Sequence, residues 1–250
     1  MAEDDVAAWS AVAERWSEVW GTFPEPVWRA IIAASGIGRG TRVLDIGCGS
    51  GEFLHLLEEV GAVAAGVDPA PGMVAVARSH SPGADLRRGF SEQLPWPDAS
   101  FDVVTAINSL HFSDDVVGSM NEARRVTTRG GLFVVANWAE GERNDLNVIE
   151  EAVRVSVGED LMPDAAIRLP GGLERLLAAG GFDLVTAGIV EAPWQAPDDN
   201  ALAAGVLLGE SAAAIATATP LVVEAARPFR TSDGYRLVNA FRFAVGRAPA

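Results

Sequence analysis

Cysteine and histidine are scarce in this chain. It has one cysteine, Cys48, and three scattered histidines, His55, His80 and His111. A single cysteine cannot form an internal disulfide, and these positions do not have the spacing of a zinc site. We therefore expect no metal site, although a magnesium site built from carboxylates alone stays open.

Basic residues are few, and apolar runs are short. Nineteen Lys and Arg stand against 34 Asp and Glu, which gives a formal net charge of -15. Such a surface repels polyanions, so we expect neither nucleic acid nor an anionic membrane as a partner. No apolar run approaches the roughly 18 residues of a membrane-spanning helix. The first five residues also lack the basic and apolar regions of a signal peptide, and these features predict a soluble, cytoplasmic protein.

Apolar segments of strand character alternate with helical segments along the 250 residues. The predicted strands are 42–46, 62–67, 84–88, 101–108, 131–138, 182–189 and 236–245. This alternation is typical of an α/β fold with a doubly wound, parallel sheet that is covered on both faces. A late helix is predicted over 198–217.

The N-terminal segment has the pattern of an amphipathic helix. Trp9, Trp16 and Trp20 recur at spacings that place them on one helix face, before Pro24 and Pro26 interrupt the helix. These tryptophans either pack against the core or close an aromatic lid over a ligand.

A glycine-rich turn follows the first predicted strand. The segment Asp45-Ile46-Gly47-Cys48-Gly49-Ser50-Gly51 is placed to end a strand and open a helix, where glycine lets the backbone turn tightly and approach a ligand. Its glycine spacing differs from that of nicotinamide and flavin proteins, and it lacks the Lys and Ser/Thr of a phosphate loop. The carboxylate of Asp45 opposes a pyrophosphate and favours a cationic ligand. We therefore expect S-adenosylmethionine, which carries an ammonium and a sulfonium but no phosphate.

An acidic residue ends the second predicted strand. Asp68 precedes Pro69 and follows the glycine loop by one βαβ unit, where a carboxylate accepts hydrogen bonds from a ribose diol. Taken alone, Asp68 is equally well explained as a turn or helix-cap residue before a proline.

Residues 40–140 resemble the class I S-adenosylmethionine-dependent methyltransferases, particularly the branch of the ubiquinone and menaquinone biosynthesis C-methyltransferases and many natural-product methyltransferases. Besides the glycine loop and Asp68, the matching segments are 89–102, 108–112 and 129–132. The resemblance implies a Rossmann-like, doubly wound, seven-stranded, mostly parallel sheet. It also implies S-adenosyl-L-methionine as cofactor and S-adenosyl-L-homocysteine as product.

The sequence pattern predicts a division of the chain, in which the alternation of strands and helices loosens after Ala139, and the resemblance implies a set of cofactor-binding residues. A single domain, 1–250, would comprise an N-terminal helical lid (1–35), a cofactor-binding core (40–138) and a helical cap inserted around strands five to seven (139–180 and 193–234). The implied cofactor-binding residues are Asp45, Gly47, Cys48, Gly49, Gly51, Asp68, Pro69, Met73, Phe90, Ser91 and Asn108.

One of these residues departs from the family pattern. The glycine loop is expected to wrap the methionine part, Asp68 to take the ribose hydroxyls, and Met73 to pack near the adenine. The family frequently has an acid where this chain has Phe90, and that acid receives the adenine amino group. Phe90 can pack on the adenine ring, which leaves Ser91 and nearby backbone groups to read the adenine edge.

His111 follows the fourth predicted strand, where the resemblance places methyl transfer. Its unperturbed pKa of about 6.5 suits either a general base or a residue that only orients the acceptor. Trp138 ends the fifth strand and is a candidate for the acceptor pocket. The polar residues around the same turn either bind the acceptor or form a solvated loop; they are Asn137, Glu140, Arg143 and Asn144.

The function indicated is methyl transfer to the oxygen, nitrogen or carbon of a small, partly apolar metabolite, such as one of natural-product or quinone biosynthesis. The cap segments 148–177 and 201–223 are rich in Ala, Val and Leu, which suits an apolar pocket. An enzyme that binds the same cofactor but promotes a cyclisation is the main alternative. A non-catalytic binding protein also stays open, while Asp45 and the glycine spacing disfavour a nicotinamide oxidoreductase.

Overall fold

The computed structural model describes residues 3–250. Met1 and Ala2 lie outside the described part; they begin both the predicted lid and the segment that lacks signal-peptide features. The strands are β1 Arg42–Ile46, β2 Val63–Asp68, β3 Asp85–Arg88, β4 Phe101–Ile107, β5 Thr127–Trp138, β6 Asp183–Ala196, β7 Arg230–Thr231 and β8 Gly234–Arg247. The helices are α1 Glu3–Trp20, α2 Glu25–Ser35, α3 Glu52–Glu59, α4 Pro71–His80, α5 Val116–Val126, α6 Asp145–Ser156, α7 Gly172–Ala179, α8 Asp199–Val206 and α9 Ala212–Ala225.

All eight of these strands form one sheet, in the order β3-β2-β1-β4-β5-β8-β6, with β7 paired to β8. The first five strands run parallel to one another, while β6 and β8 form antiparallel pairs. The predicted Rossmann-like, mostly parallel α/β fold is therefore confirmed. The chain leaves β1 toward β2 on one side and returns to β4 on the other, and ligands bind in the crevice that such a reversal of strand order creates.

Several strand boundaries differ from the sequence prediction. The two-residue strand β7 is an addition to the seven expected strands, because a pair this short has no recognisable alternation. Strand β5 begins four residues earlier than predicted, and β6 continues through Pro193 to Ala196. Proline is tolerated there because β6 is an edge strand of the sheet.

The single helix predicted over 198–217 is wrong. The chain instead forms α8 and α9, with a break at Gly209, whose φ of +97° is incompatible with a continuing right-handed helix. Helix α9 then continues through Pro220 to Ala225, beyond the predicted end.

Two hydrophobic cores lie on opposite faces of the sheet. Val43 and Leu44 are neighbours in β1, and they enter different cores because successive side chains of a strand point to opposite faces. Helices α2 and α3 contribute to the first core, for example through Ile31 and Leu54. Helices α5 and α7 contribute to the second core, for example through Leu177. Each fully buried aliphatic side chain of this kind stabilises the fold by roughly 1.5 to 3 kcal/mol.

Helix α1 lies against α4 near the carboxyl end of β2. Val6 and Ala13 form a small apolar cluster with Met73. The Gly72 backbone N–H donates a hydrogen bond to Ser10 Oγ at 2.7 Å. These contacts position α1 beside the glycine loop, while the division into lid, core and cap stays a prediction. None of the helices in the described part is long and apolar enough to cross a membrane.

Candidate active site

The three glycines of the loop between β1 and α3 all have positive φ angles, but the space around each of them differs. The φ angles are +72° at Gly47, +53° at Gly49 and +89° at Gly51. A Cβ at Gly47 would come within 2.3 Å of the Cβ of Ser109, and one at Gly51 within 2.8 Å of the Cα of Ala77. At Gly49 a Cβ would meet no atom within 4 Å. Two glycines therefore serve close packing, whereas Gly49 leaves its space free for a ligand.

Asp45 is a buried carboxyl at the end of β1. Its side chain is 4% exposed and accepts a hydrogen bond from Thr105 Oγ1 at 2.6 Å. Burial raises the pKa of Asp45 to about 7, against the opposing effect of the Thr105 bond, and the nearby carboxylate of Asp68 raises it further. A carboxyl group that is this reluctant to ionise gains strongly from a cation placed beside it.

Asp68 joins the glycine loop to the end of β2. Its Oδ2 accepts a hydrogen bond from the Gly49 N–H at 3.0 Å, and its Oδ1 accepts one from the Ala70 N–H at 2.8 Å. Burial raises the pKa of Asp68, while these two bonds lower it. Asp68 is thus a turn residue, and because an ionised carboxylate has about four acceptor sites, it retains capacity for ribose hydroxyls.

A cavity of about 180 Å³ lies against the loop. Ten of the eleven predicted cofactor-binding residues line it, and Gly51 does not because it packs on α4. Phe90 lines the cavity with 43% of its surface exposed. Sequence reasoning missed Glu52 as a lining residue, although its place directly after the last glycine was a usable signal. Glu52 accepts hydrogen bonds from Ser50 Oγ at 2.7 Å and from Ser17 Oγ of α1 at 2.5 Å.

A second, larger cavity of about 530 Å³ adjoins the first. The two cavities share five lining residues, namely Trp9, Trp16, Trp20, Asn108 and Phe112. Apolar side chains of α1 and of the predicted cap line the second cavity, including Val12, Leu146, Ile167, Val206 and Leu208. Asn108 lies between the cavities and has a φ of +53°, a left-handed conformation that asparagine tolerates better than most residues.

His111 lines the second cavity and not the first. It lies in a short 3₁₀ helix after β4, and its ring centroid is 4.0 Å from that of Phe112. Burial lowers the pKa of His111, and the positive charge of Arg168 lowers it further. The imidazole is therefore mainly neutral at pH 7, the state in which it can accept a proton.

Trp9, Trp16 and Trp20 of α1 divide between the two roles considered for them. Trp20 is buried and stacks on Trp194 with ring centroids 4.4 Å apart, and its indole N–H donates to the Gly205 carbonyl at 3.2 Å. Trp9 and Trp16 form an edge-to-face pair at 5.1 Å. Trp20 is thus mainly a packing residue, while Trp9 and Trp16 form part of the wall that the two cavities share.

The polar residues after β5 have different surroundings. Glu140 accepts bonds from Arg242 at 2.7 and 2.9 Å and from Arg143 at 3.0 Å, which lowers the pKa of Glu140 to about 2. Asn144 donates to the Ala139 and Glu140 carbonyls and accepts from the Ala240 N–H. These residues therefore hold the loop after β5 in place. Asn137 and Trp138 line the second cavity, as does Asn144, whose side chain is hydrogen-bonded to the backbone.

The comparisons with known proteins agree with this architecture. A family model described as a methyltransferase domain matches residues 44–135. The ubiquinone biosynthesis O-methyltransferase of Azorhizobium caulinodans is 38% identical over 102 residues, which are 39% of this chain and 40% of that relative. This chain thus spans about two-fifths of the length of that relative.

Solved structures share the fold at low sequence identity. The YcgJ protein from Bacillus subtilis superposes with a TM-score of 0.62 at 20% identity, over 89% of this chain and 98% of that one. The [4+2]-cyclase SpnF superposes with a TM-score of 0.59 at 19% identity, over 90% and 81%. Residues 44–135 thus carry a methyltransferase domain, which is similar in sequence to a ubiquinone biosynthesis O-methyltransferase, a malonyl-[acyl-carrier protein] O-methyltransferase and a demethylmenaquinone methyltransferase.

Proposed function

We propose that this protein binds S-adenosylmethionine in the cavity at the glycine loop and transfers its methyl group to a small, partly apolar acceptor in the adjoining cavity. The observation that carries the proposal is the shared wall of the two cavities, at which Asn108 and Phe112 line both. Methyl transfer requires donor and acceptor atoms about 3 to 3.5 Å apart and in line, so it needs two adjoining sites.

The residues of the first cavity fit the cofactor's chemistry. Asp45 is a buried carboxyl that a cation would stabilise in its ionised form, which suits the ammonium group. Asp68 offers its remaining acceptor sites to the ribose hydroxyls. Met73 and Phe90 offer apolar surface to the adenine ring.

When bound, the cofactor supplies a methyl group activated by a sulfonium. Asp45, Asp68 and the loop would hold the cofactor so that a lone pair of an acceptor in the second cavity could take the methyl group, and S-adenosylhomocysteine would keep the electron pair of the broken carbon–sulfur bond. His111 lines the acceptor cavity in its neutral form and takes the proton that an acceptor hydroxyl or amine loses. The aromatic residues of α1 exclude water from the shared wall.

Mass spectrometry of the purified, denatured protein tests the cofactor assignment. We expect co-purified S-adenosylmethionine or S-adenosylhomocysteine, and a dinucleotide would contradict the proposal. Because one fold neighbour is a cyclase, turnover with methyl-labelled cofactor separates the reactions. Methyl transfer yields labelled product and one S-adenosylhomocysteine per turnover, whereas a cyclisation changes the substrate without consuming the cofactor.

A further inference from the structure

Asn137 is a buried asparagine whose side chain has no partner. It lies next to the last residue of β5, is 4% exposed and lines the acceptor cavity. Its side-chain amide forms no hydrogen bond with any residue of the described range 3–250. The other two buried asparagines, Asn144 and Asn239, both accept hydrogen bonds from backbone N–H groups. Asn239 Nδ2 is buried without a partner, but Asn137 differs from both in that neither end of its amide is bonded within the described residues.

The amide atoms of Asn137 are open to the cavity rather than sealed in the core, so that water or a ligand there can form their hydrogen bonds. A ligand in the cavity can therefore form hydrogen bonds with an amide that lines the cavity. The position of Asn137 suits a role in the reaction, because the preceding residue, Ala136, accepts a hydrogen bond from the Asn108 N–H at 2.8 Å. Asn137 thus lies beside the residue at which the two cavities adjoin.

The rest of the cavity restricts what that ligand is. A volume of about 530 Å³ falls within the range of small-molecule sites. Trp9, Trp16 and Trp138 are among its walls, and they favour a flat, apolar molecule. Two charged side chains line this cavity. Arg168 is already engaged by Asp164 at 3.1 Å and by the Ala139 carbonyl at 2.9 Å, and Glu150 is solvent-exposed and lies close enough to Arg168 for their charges to interact.

We propose that Asn137 anchors the methyl acceptor through its side-chain amide, and that the acceptor is an aromatic molecule with an uncharged oxygen substituent, a hydroxyl or a carbonyl. An uncharged amide pairs with an uncharged group without burying a net charge. Asn137 is then the specificity-determining residue that selects an oxygenated ring over a hydrocarbon of the same shape. This inference rests on the proposed function, because it assigns the second cavity to the acceptor.

Two probes of nearly equal shape test the inference. 2-Naphthol and 2-methylnaphthalene share a ring system and differ in a hydroxyl against a methyl group. Their dissociation constants are measured by tryptophan fluorescence on protein saturated with S-adenosylhomocysteine, for the wild type and for Asn137→Leu. The quantity compared is the ratio of the two constants, so that a general change of cavity shape cancels. We expect Asn137→Leu to shift the ratio about tenfold in favour of the hydrocarbon.

A second cavity residue provides the matched control. Asn147 also lines the cavity, but its amide nitrogen already donates to Glu151 at 2.7 Å, so Asn147→Leu should leave the ratio unchanged. Asn137→Leu breaks no hydrogen bond within the protein and should keep the wild-type melting temperature or raise it. Should it fail to fold, Asn137→Ser, which is smaller and still polar, should give a smaller shift in the same direction.

The outcomes separate this inference from the proposed function. Equal ratios in the wild type and Asn137→Leu, or no binding of either probe, would overturn the role of Asn137. A shift of similar size in Asn147→Leu would overturn it as well. Failure of S-adenosylhomocysteine to bind at all would instead contradict the proposed function.

Discussion

Cofactor binding should depend on pH through Asp45. In the ligand-free protein, burial raises the pKa of Asp45 from 3.8 to about 7. The ammonium of a bound cofactor favours the ionised carboxylate and lowers the pKa again. Binding therefore releases a proton wherever Asp45 is protonated beforehand, and affinity is lost as the pH falls through about 7.

The size of the effect follows from linkage between binding and ionisation. If the bound pKa returns to the ordinary value, the dissociation constant rises about 2-fold at pH 7, about 11-fold at pH 6 and about 100-fold at pH 5, relative to full ionisation. At pH 6, about 0.9 proton is released per cofactor bound. The amino group of the ligand stays mainly protonated over this range, since α-amino groups titrate near pH 8.

Isothermal titration calorimetry with S-adenosylhomocysteine between pH 5 and 7 measures both quantities. Repeating each titration in two buffers of different ionisation enthalpy gives the number of protons released. The control is Asp45→Asn, which should bind more weakly and without this pH dependence. A second control, His111→Gln, should keep the wild-type dependence, because His111 lines the other cavity.

A dissociation constant that stays level from pH 5 to 7, with no proton release, would refute this reasoning about Asp45. The same pH dependence in Asp45→Asn would assign the titration to another group. Asp68 is the nearest candidate for that group, because burial raises its pKa too.

Three further predictions concern the two cavities. Gly49→Val should abolish cofactor binding, because its side chain would fill the open space at the loop, and it should also lower the melting temperature, because a β-branched residue is strained at a φ of +53°. Gly47→Ala should lower the melting temperature through its clash with Ser109, and normal calorimetric affinity in a folded Gly49→Val would contradict the loop assignment. Phe90→Asp should tighten cofactor binding by about 1 kcal/mol, since it supplies an acceptor for the adenine amino group, and a sharp loss of affinity would show that packing by Phe90 is integral. His111→Gln should lower turnover far more than cofactor affinity and should remove an ascending limb below pH 6.5 from the pH profile of kcat/KM; full activity would reject the catalytic role.

The sequence alone determined the class of fold and the location of the cavity that we propose for the cofactor. The glycine spacing after β1, the acid at Asp45 and the acid at Asp68 are local signals, because each follows directly from what a strand-to-helix turn or a strand end requires of its residues. The parallel strands could also be predicted from the local sequence, since strands that are buried on both faces are continuous apolar runs. The single helix expected over 198–217 failed because apolar residues continue on both sides of the break, although Gly209 and Ser211, the N-cap of α9, are local signals of a helix end and a helix start.

Only the tertiary structure decided what the polar residues near the acceptor cavity do. Asn137, Glu140 and Asn144 are close in sequence and similar in polarity, and nothing in their spacing separates them. Glu140 is paired with Arg242 and Asn144 with the backbone of Ala240, more than 90 residues away, which leaves Asn137 unpartnered. Hydrogen-bond partners brought together by pairing of β5 with β8 are set by strand register rather than by local pattern. For that reason the sequence located the cavity that we propose for the cofactor, and only the fold located the cavity that we propose for the acceptor.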